Sequence, residues 1–247
     1  MGLANYRWAL GDAGFREALT NSLLWLAVAP TLTVLVGLTL AGLVRGAGLL
    51  GRLVQAVVLL PTGISFVGAA VIWKFILEYR PEGAAQTGLL NALVTAAGLP
   101  PQTWLTLPTF NSLCLMAIFV WGQAGFAMVI LSAALARLPR QLTEAARLDG
   151  LTERAIFWRI EVPQIAGAII MVWTALALIV LKLFDLVHAL TNGQWGSAVL
   201  ADNMVEWLVR GGGHFGRGAV LALALVAIGL PVLLLARQAQ RRWGRLA

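Results

Sequence analysis

The sequence predicts an all-α protein built as a polytopic bundle of membrane-spanning helices, and three observations predict it. Of 247 residues, 60% are hydrophobic and only 12% charged, where an ordinary soluble domain carries about 25% charge. The mean hydropathy is +0.83. The apolar residues gather in runs of about twenty, the length a helix needs to cross roughly 30 Å of hydrocarbon. In that medium the backbone must satisfy its own polar groups, which selects helix.

The elements follow in order. Residues 1–21 are polar and amphipathic, with Arg7, Trp8, Asp12, Arg16 and Glu17, and they lack the apolar core of a signal peptide. A first span covers about 22–44 and contains Pro30. After Arg45 and Arg52 a second span covers about 53–75, with Pro61 and Gly63 inside it. Proline is tolerated in a membrane helix where neighbours satisfy the freed carbonyl. The Pro- and Gly-rich stretch 78–108 predicts a connector with a short interfacial helix. Further spans cover about 113–136, 162–190 and 218–236, with polar stretches 138–161 and 191–217 between them. The chain reads as one transmembrane domain, residues 1–247, of five spans.

Several function classes fall away. Only Cys114, His188 and His214 offer soft or imidazole ligands, too few for a metal site of that kind. No G-x-x-x-x-G-K-[ST] loop occurs, so nothing here cradles nucleotide phosphates in that manner. The net charge is +7, but the basic residues lie between and after apolar runs rather than beside aromatic stackers, which argues against nucleic acid. Eleven of the 18 basic residues fall on one side of the predicted spans (Arg45 and Arg52, five from Arg137 to Arg159, four from Arg237 to Arg245) and six on the other. The richer side is expected to be cytoplasmic, with the loop 138–161 and the C-terminus inside and the N-terminus outside.

The loop between the third and fourth spans is the one long polar segment with helical patterning. Leu142, Ala145, Ala146 and Leu148 form an apolar stripe, and Pro139 suits a first helical turn. Asp149-Gly150 signals a turn, and Thr152 suits the N-cap of a second helix ending at Pro163. Two short helices between membrane spans offer a knob for another protein's groove.

Here the sequence resembles a known family. Glu144, Ala145, Ala146 and Gly150, followed by Ile160, Glu161, Val162 and Pro163, match the EAA loop of ABC importer permeases, with Val162 where the pattern has Leu. NSLLWLAVAP, LLPTGISFVGAAVIWKFILE and FDLVHALTNG resemble stretches of carbohydrate permeases in that family. EYRPEGAAQTGLLNALV and NGQWGSAVLADNM are closest to α-glucoside types. Asn192-Gly193-Gln194 replaces the commoner glycine-rich turn.

The resemblance implies the ABC importer permease fold and a multi-pass position in the inner membrane. It implies a translocation path for a sugar, and coupling through Leu142, Glu144, Ala145, Ala146, Leu148, Asp149, Gly150, Ile160 and Pro163. It implies two ATP-binding subunits, a second homologous permease and an extracytoplasmic sugar-binding protein as partners, beside the lipid bilayer. ATP and Mg2+ belong to the ATPase partner, and this chain is expected to hold no cofactor and to be no enzyme. Relatives commonly have six spans with an internal start, so a further span before Met1 is expected.

Pathway candidates are sought among polar and aromatic residues. Trp121 and Trp173 sit near the middle of their spans, and sugars stack on aromatic rings; Gln123 adds a hydrogen-bonding group. Phe184 and Asp185 belong to the family-like FD element. Lys182, Asp185 and His188, spaced by three, read as neighbours on one helix and as either a Lys–Asp pair or an outer gate. Mid-depth acids, which ion-coupled secondary transport would favour, are lacking. A permease for another solute class is the nearer alternative.

Overall fold

The computed structural model describes residues 3–81, 83–210 and 214–243; Arg245 of the C-terminal basic cluster lies outside them. Helices follow one another with no strand among the described residues. They are α1 (Ala4–Gly11), α2 (Ala13–Leu43), α3 (Gly48–Leu59), α4 (Phe66–Ile76), α5 (Leu89–Ala96), α6 (Phe110–Ala136) and α7 (Arg140–Leu148). Then come α8 (Glu153–Ile156), α9 (Val162–Gln164), α10 (Ala166–Leu181), α11 (Asp185–Thr191), α12 (Leu200–Val205) and α13 (Phe215–Trp243). The fold class is as the sequence predicts.

Three helices, α2, α6 and α13, are long and apolar enough to cross a bilayer, and counting each of two interrupted pairs as one span gives five. Pro30 and Pro231 sit inside α2 and α13 without ending them. Pro61 behaves differently. It lies in a 3-10 turn, Leu60–Gly63, and α4 restarts after Ser65, whose hydroxyl accepts from Gly68 N at 3.1 Å. The stretch 53–75 is therefore two helical pieces meeting at a 101° bend rather than one continuous helix. The stretch 162–190 is likewise broken, with a 71° bend between Glu153–Gln164 and Ala166–Leu181. Beyond it, Lys182 N and Leu183 N bond three residues back, to Ile179 O and Val180 O, which tightens and closes the end of α10 before α11 begins.

The chain divides into two compact units. One comprises Met1–Ala29, Ile64–Phe119 and Ile179–Gly229. Its core joins Ala9, Phe15, Ala18, Leu200, Val220 and Leu221, with the Phe119 ring edge-on to Trp25 and stacked on Phe66. Arg217 is held against both Trp8 and Trp207, 4.5 and 4.4 Å from their ring centres. The connector 78–108 is ordered by one fully buried amide. Asn91 donates to Glu78 O and Gln102 O and accepts from Gln102 N and Trp104 Nε1, all within 2.9–3.0 Å.

The other unit comprises Pro30–Gly63, Val120–Leu178 and Leu230–Ala247. Small residues let its backbones touch, as membrane helices require. A Cβ on Gly125 would lie 2.3 Å from Val58 O, and one on Gly37 would lie 2.5 Å from the Ala127 Cβ. Thr62 Oγ1 donates to Gly122 O at 3.1 Å beside the first of these contacts. By contrast, only 11% of the most apolar window of α13 is buried, against 50% for α6. Outside Val220 and Leu221, which join the core described above, most of the window is exposed or half-buried.

Candidate functional site: a helix–turn–helix loop at a membrane edge

The loop forms from its own local signals. Pro139, extended at ψ 127°, is the residue before α7 rather than part of its first turn; its fixed φ sets the entry, and the helix starts at Arg140. At the other end Gly150 takes φ +78°, and Leu151 N reaches back to Ala146 O at 3.1 Å, closing the helix as glycine caps do. Thr152 then caps α8, accepting from Ala155 N at 3.3 Å. The second helix does not end at Pro163. It widens into a π-helical turn at Phe157–Glu161, runs through Pro163 to Gln164, and bends at Ile165 into α10. Pro163 falls at the start of α9, where its missing N–H costs little.

The predicted apolar stripe divides in two. Ala146 and Thr143 are buried, while Leu142, Ala145 and Leu148 face outward, Leu148 with 90% of its surface exposed. Residues 142, 145 and 148, three apart, share one side of α7. Glu144, Asp149 and Gly150 are exposed beside them, and Ile160 is half-buried in the π-turn. The loop therefore presents an apolar ridge with an acidic flank.

Two ion pairs brace it. Arg147 donates from Nε to Glu153 Oε1 at 2.6 Å and from its terminal nitrogen to Glu153 Oε2 at 3.2 Å, a two-pronged bridge across the turn. Through that hydrogen bond first, and its charge second, Arg147 holds the exposed Glu153 carboxyl below its ordinary pKa, and Glu153 raises that of Arg147. The other pair was not legible in the sequence. Glu161, 1% exposed, accepts from Arg45 of the turn after α2, 116 residues away, and its second oxygen has no hydrogen-bond partner. Gly42 lets the Phe157 ring close in beside that junction, since a Cβ there would lie 2.9 Å from it.

Of the pathway candidates, the two on α6 lie on different faces of that helix. Trp121 and Gln123, both half-buried on α6, are two residues apart and so project roughly 200° apart around the helix. Trp173, half-buried on α10, donates from Nε1 to Thr31 Oγ1 at 3.1 Å. Beside it lies an apolar hollow of about 290 Å³ lined by Ile169, Ile170, Val232 and Leu235, in which the Thr174 hydroxyl is already bonded to Ile170 O. Phe184 is the residue before α11 and stacks on His188 at 4.7 Å, and Asp185 is exposed in the first turn. Lys182 and Asp185 form no ion pair, because the helix ends between them. His188 bonds instead to Asp202, a buried acid, at 2.8 Å. Asn192 ends α11 with φ +53°, a left-handed conformation that asparagine tolerates.

A membrane-helical body carrying an exposed helix–turn–helix ridge, without strands among the described residues, defines the class of integral-membrane helical subunits. The chain belongs to the family of binding-protein-dependent transport system inner membrane components, whose pattern it matches over residues 18–245. It is 50% identical to the alpha-glucoside transport system permease protein AglF of Rhizobium meliloti, over 95% of this chain and 69% of that one. It is 42% identical to the osmoprotective compounds uptake permease protein GgtC of Synechocystis, over 95% of this chain and 83% of that one. Among solved structures it superposes on a bacterial ABC transporter for import of the acidic polysaccharide alginate, with a TM-score of 0.86, 21% identity, and coverage of 98% of this chain and 84% of that chain. That likeness establishes the fold. The chain is a permease subunit of a binding-protein-dependent ABC importer.

Proposed function

We propose that this permease forms the path for a neutral sugar of the α-glucoside class and is driven by a separate ATPase that docks on the loop around Gly150. The observation that carries the coupling reading is the exposed ridge Leu142–Ala145–Leu148, flanked by Glu144 and closed by Gly150 at φ +78°. Leu148, 90% exposed, joins the exposed Leu142 and Ala145 in one apolar ridge on an otherwise polar helix, and such a grouped exposed surface suits a partner's groove. The arginine asymmetry supports a cytoplasmic position for this loop. A docked ridge transmits nucleotide-driven closure to the spans as rigid-body motion. Two ATP-binding subunits, carrying ATP and Mg2+, a second permease and an extracytoplasmic sugar-binding protein complete the proposed assembly.

The sugar class is supported by the AglF relative at 50% identity and by the distribution of charge. α6 and α10 carry no charged side chain, so no fixed cation awaits an anionic substrate there. Trp121, Gln123, Trp173, Phe184 and Asp185 are the proposed pathway residues. Uptake should be measured in the reconstituted assembly with its own binding protein, offering an α-glucoside, phosphate and a basic amino acid. Sugar uptake is expected, and uptake of either ion without sugar would overturn the assignment. Gly150→Pro, which cannot adopt positive φ, should abolish uptake while the protein still inserts. Retained uptake would overturn the coupling reading.

A further inference from the structure

We infer that the cavity behind the coupling loop is a binding site for the headgroup of an anionic phospholipid. The cavity holds about 440 Å³ and lies within one unit, between the end of α2 and the loop. Thr39, Gly42 and Leu43 supply one wall, Phe157 and Trp158 another, and Arg45, Arg147 and Arg154 bring three guanidinium groups against two carboxylates, Glu153 in the lining and Glu161 paired with Arg45, which leaves one positive charge in excess.

Those cations keep donors to spare. A guanidinium offers five N–H groups. Arg45 uses one nitrogen on Glu161, and Arg147 uses two on Glu153. Arg154 is exposed and forms no ion pair among the described residues. Phosphate oxygens suit such forks, because charge-assisted bonds to arginine form in pairs.

The apolar half of the lining chooses the source of the phosphate. At 31 residues and about 1.5 Å per residue, α2 is roughly 46 Å long, beyond the roughly 30 Å of the hydrocarbon core. Its apolar run ends at Leu43 and Val44, with Arg45 next, so that end falls at headgroup depth. Leu43 is 73% exposed and Trp158 43%, an aliphatic and an indole surface where acyl chains meet headgroups. A free phosphate would leave that surface unused. Basic pockets at the cytoplasmic ends of membrane helices are the sites that hold anionic lipids. The outward ridge of Leu142 and Leu148 is no part of the cavity, so lipid and ATPase can be bound together.

The test does not depend on the ATPase. The full chain, extracted into mild detergent, is titrated with phosphatidylglycerol, phosphatidylcholine or inorganic phosphate and bound species are counted by native mass spectrometry. Phosphatidylglycerol should be retained over phosphatidylcholine and survive millimolar phosphate. Arg154→Gln should weaken its retention roughly tenfold, the scale of one charged hydrogen bond. Arg52→Gln, which removes the same charge from an exposed position outside the cavity, should leave it unchanged. Equal retention of the two lipids, equal effects of the two variants, or binding of phosphate in place of lipid would overturn the assignment.

Discussion

Removal of Arg45 tests the brace between the first long helix and the coupling loop. Glu161 is 1% exposed and already has one oxygen without a partner. Arg45→Ala would leave a buried carboxylate with no cation, a defect that costs about 3–5 kcal/mol. The arginine side chain is 41% exposed, so water reaches the lip of the site and the lower figure applies, about 3 kcal/mol. For a chain of this length, each kcal/mol moves Tm by about 2–4 °C, giving a fall of roughly 6–12 °C. Glu161→Gln keeps the volume, removes the charge and frees Arg45 to solvent, so it should cost only about 1 kcal/mol. The double variant should resemble Glu161→Gln alone, because the uncompensated charge has gone. Tryptophan fluorescence during heating in detergent gives the three values. A fall below about 2 °C for Arg45→Ala, or equal falls for the two single variants, would refute the reasoning.

Further outcomes follow from the same geometry. Gly125→Val and Gly37→Val should prevent assembly of the helices, because the new Cβ meets backbone at 2.3 Å in the first and 2.9 Å in the second; Gly122→Ala, with open space around it, should be expressed and extracted like the parent. Gly150→Ala meets no atom within 4 Å but keeps φ +78°, so it should cost about 1 kcal/mol through backbone strain and lower transport without ending it. Glu153 is held below its ordinary pKa by Arg147, so the bridge contributes fully above that ordinary value and is lost as pH falls through the lowered one. Carbon NMR of Glu153 should show its midpoint below that of a free glutamate, and Arg147→Gln should return it to the ordinary value.

How much was legible in the sequence depended on the range of the interaction. Asp149-Gly150 and Thr152 declared their turn and cap because both act within four residues. The resemblance to ABC permeases was equally open, since EAA, Gly150 and Pro163 are spaced along one segment. The partnership of Arg45 with Glu161 crosses 116 residues, and no local pattern marks it, although a glutamate before Val162-Pro163 at the edge of an apolar run was a signal that a cation had to be near. Spacing by three misled at Lys182, Asp185 and His188, because it presumes an unbroken helix and α10 closes at Leu181. Hydropathy likewise joined the pieces on either side of Ser65, since it sums side chains and does not register the hydroxyl cap that restarts α4. Depth alone did not fix orientation on α6, because Trp121 and Gln123, two residues apart, project to different faces of the same helix.

The outward surface of α13 has a consequence for how this permease tolerates change. A helix with 11% of its apolar window buried is shaped by its solvent, and hydrocarbon does not distinguish leucine from isoleucine or valine by shape. Libraries restricted to aliphatic exchanges should therefore drift almost freely at the exposed Leu223, Val226, Leu230, Leu233 and Leu234, whereas at Gly37 and Gly125 one added methyl group ends selection. Sequence divergence among homologues would then accumulate at those exposed positions of α13 first, while the glycine contacts stayed fixed.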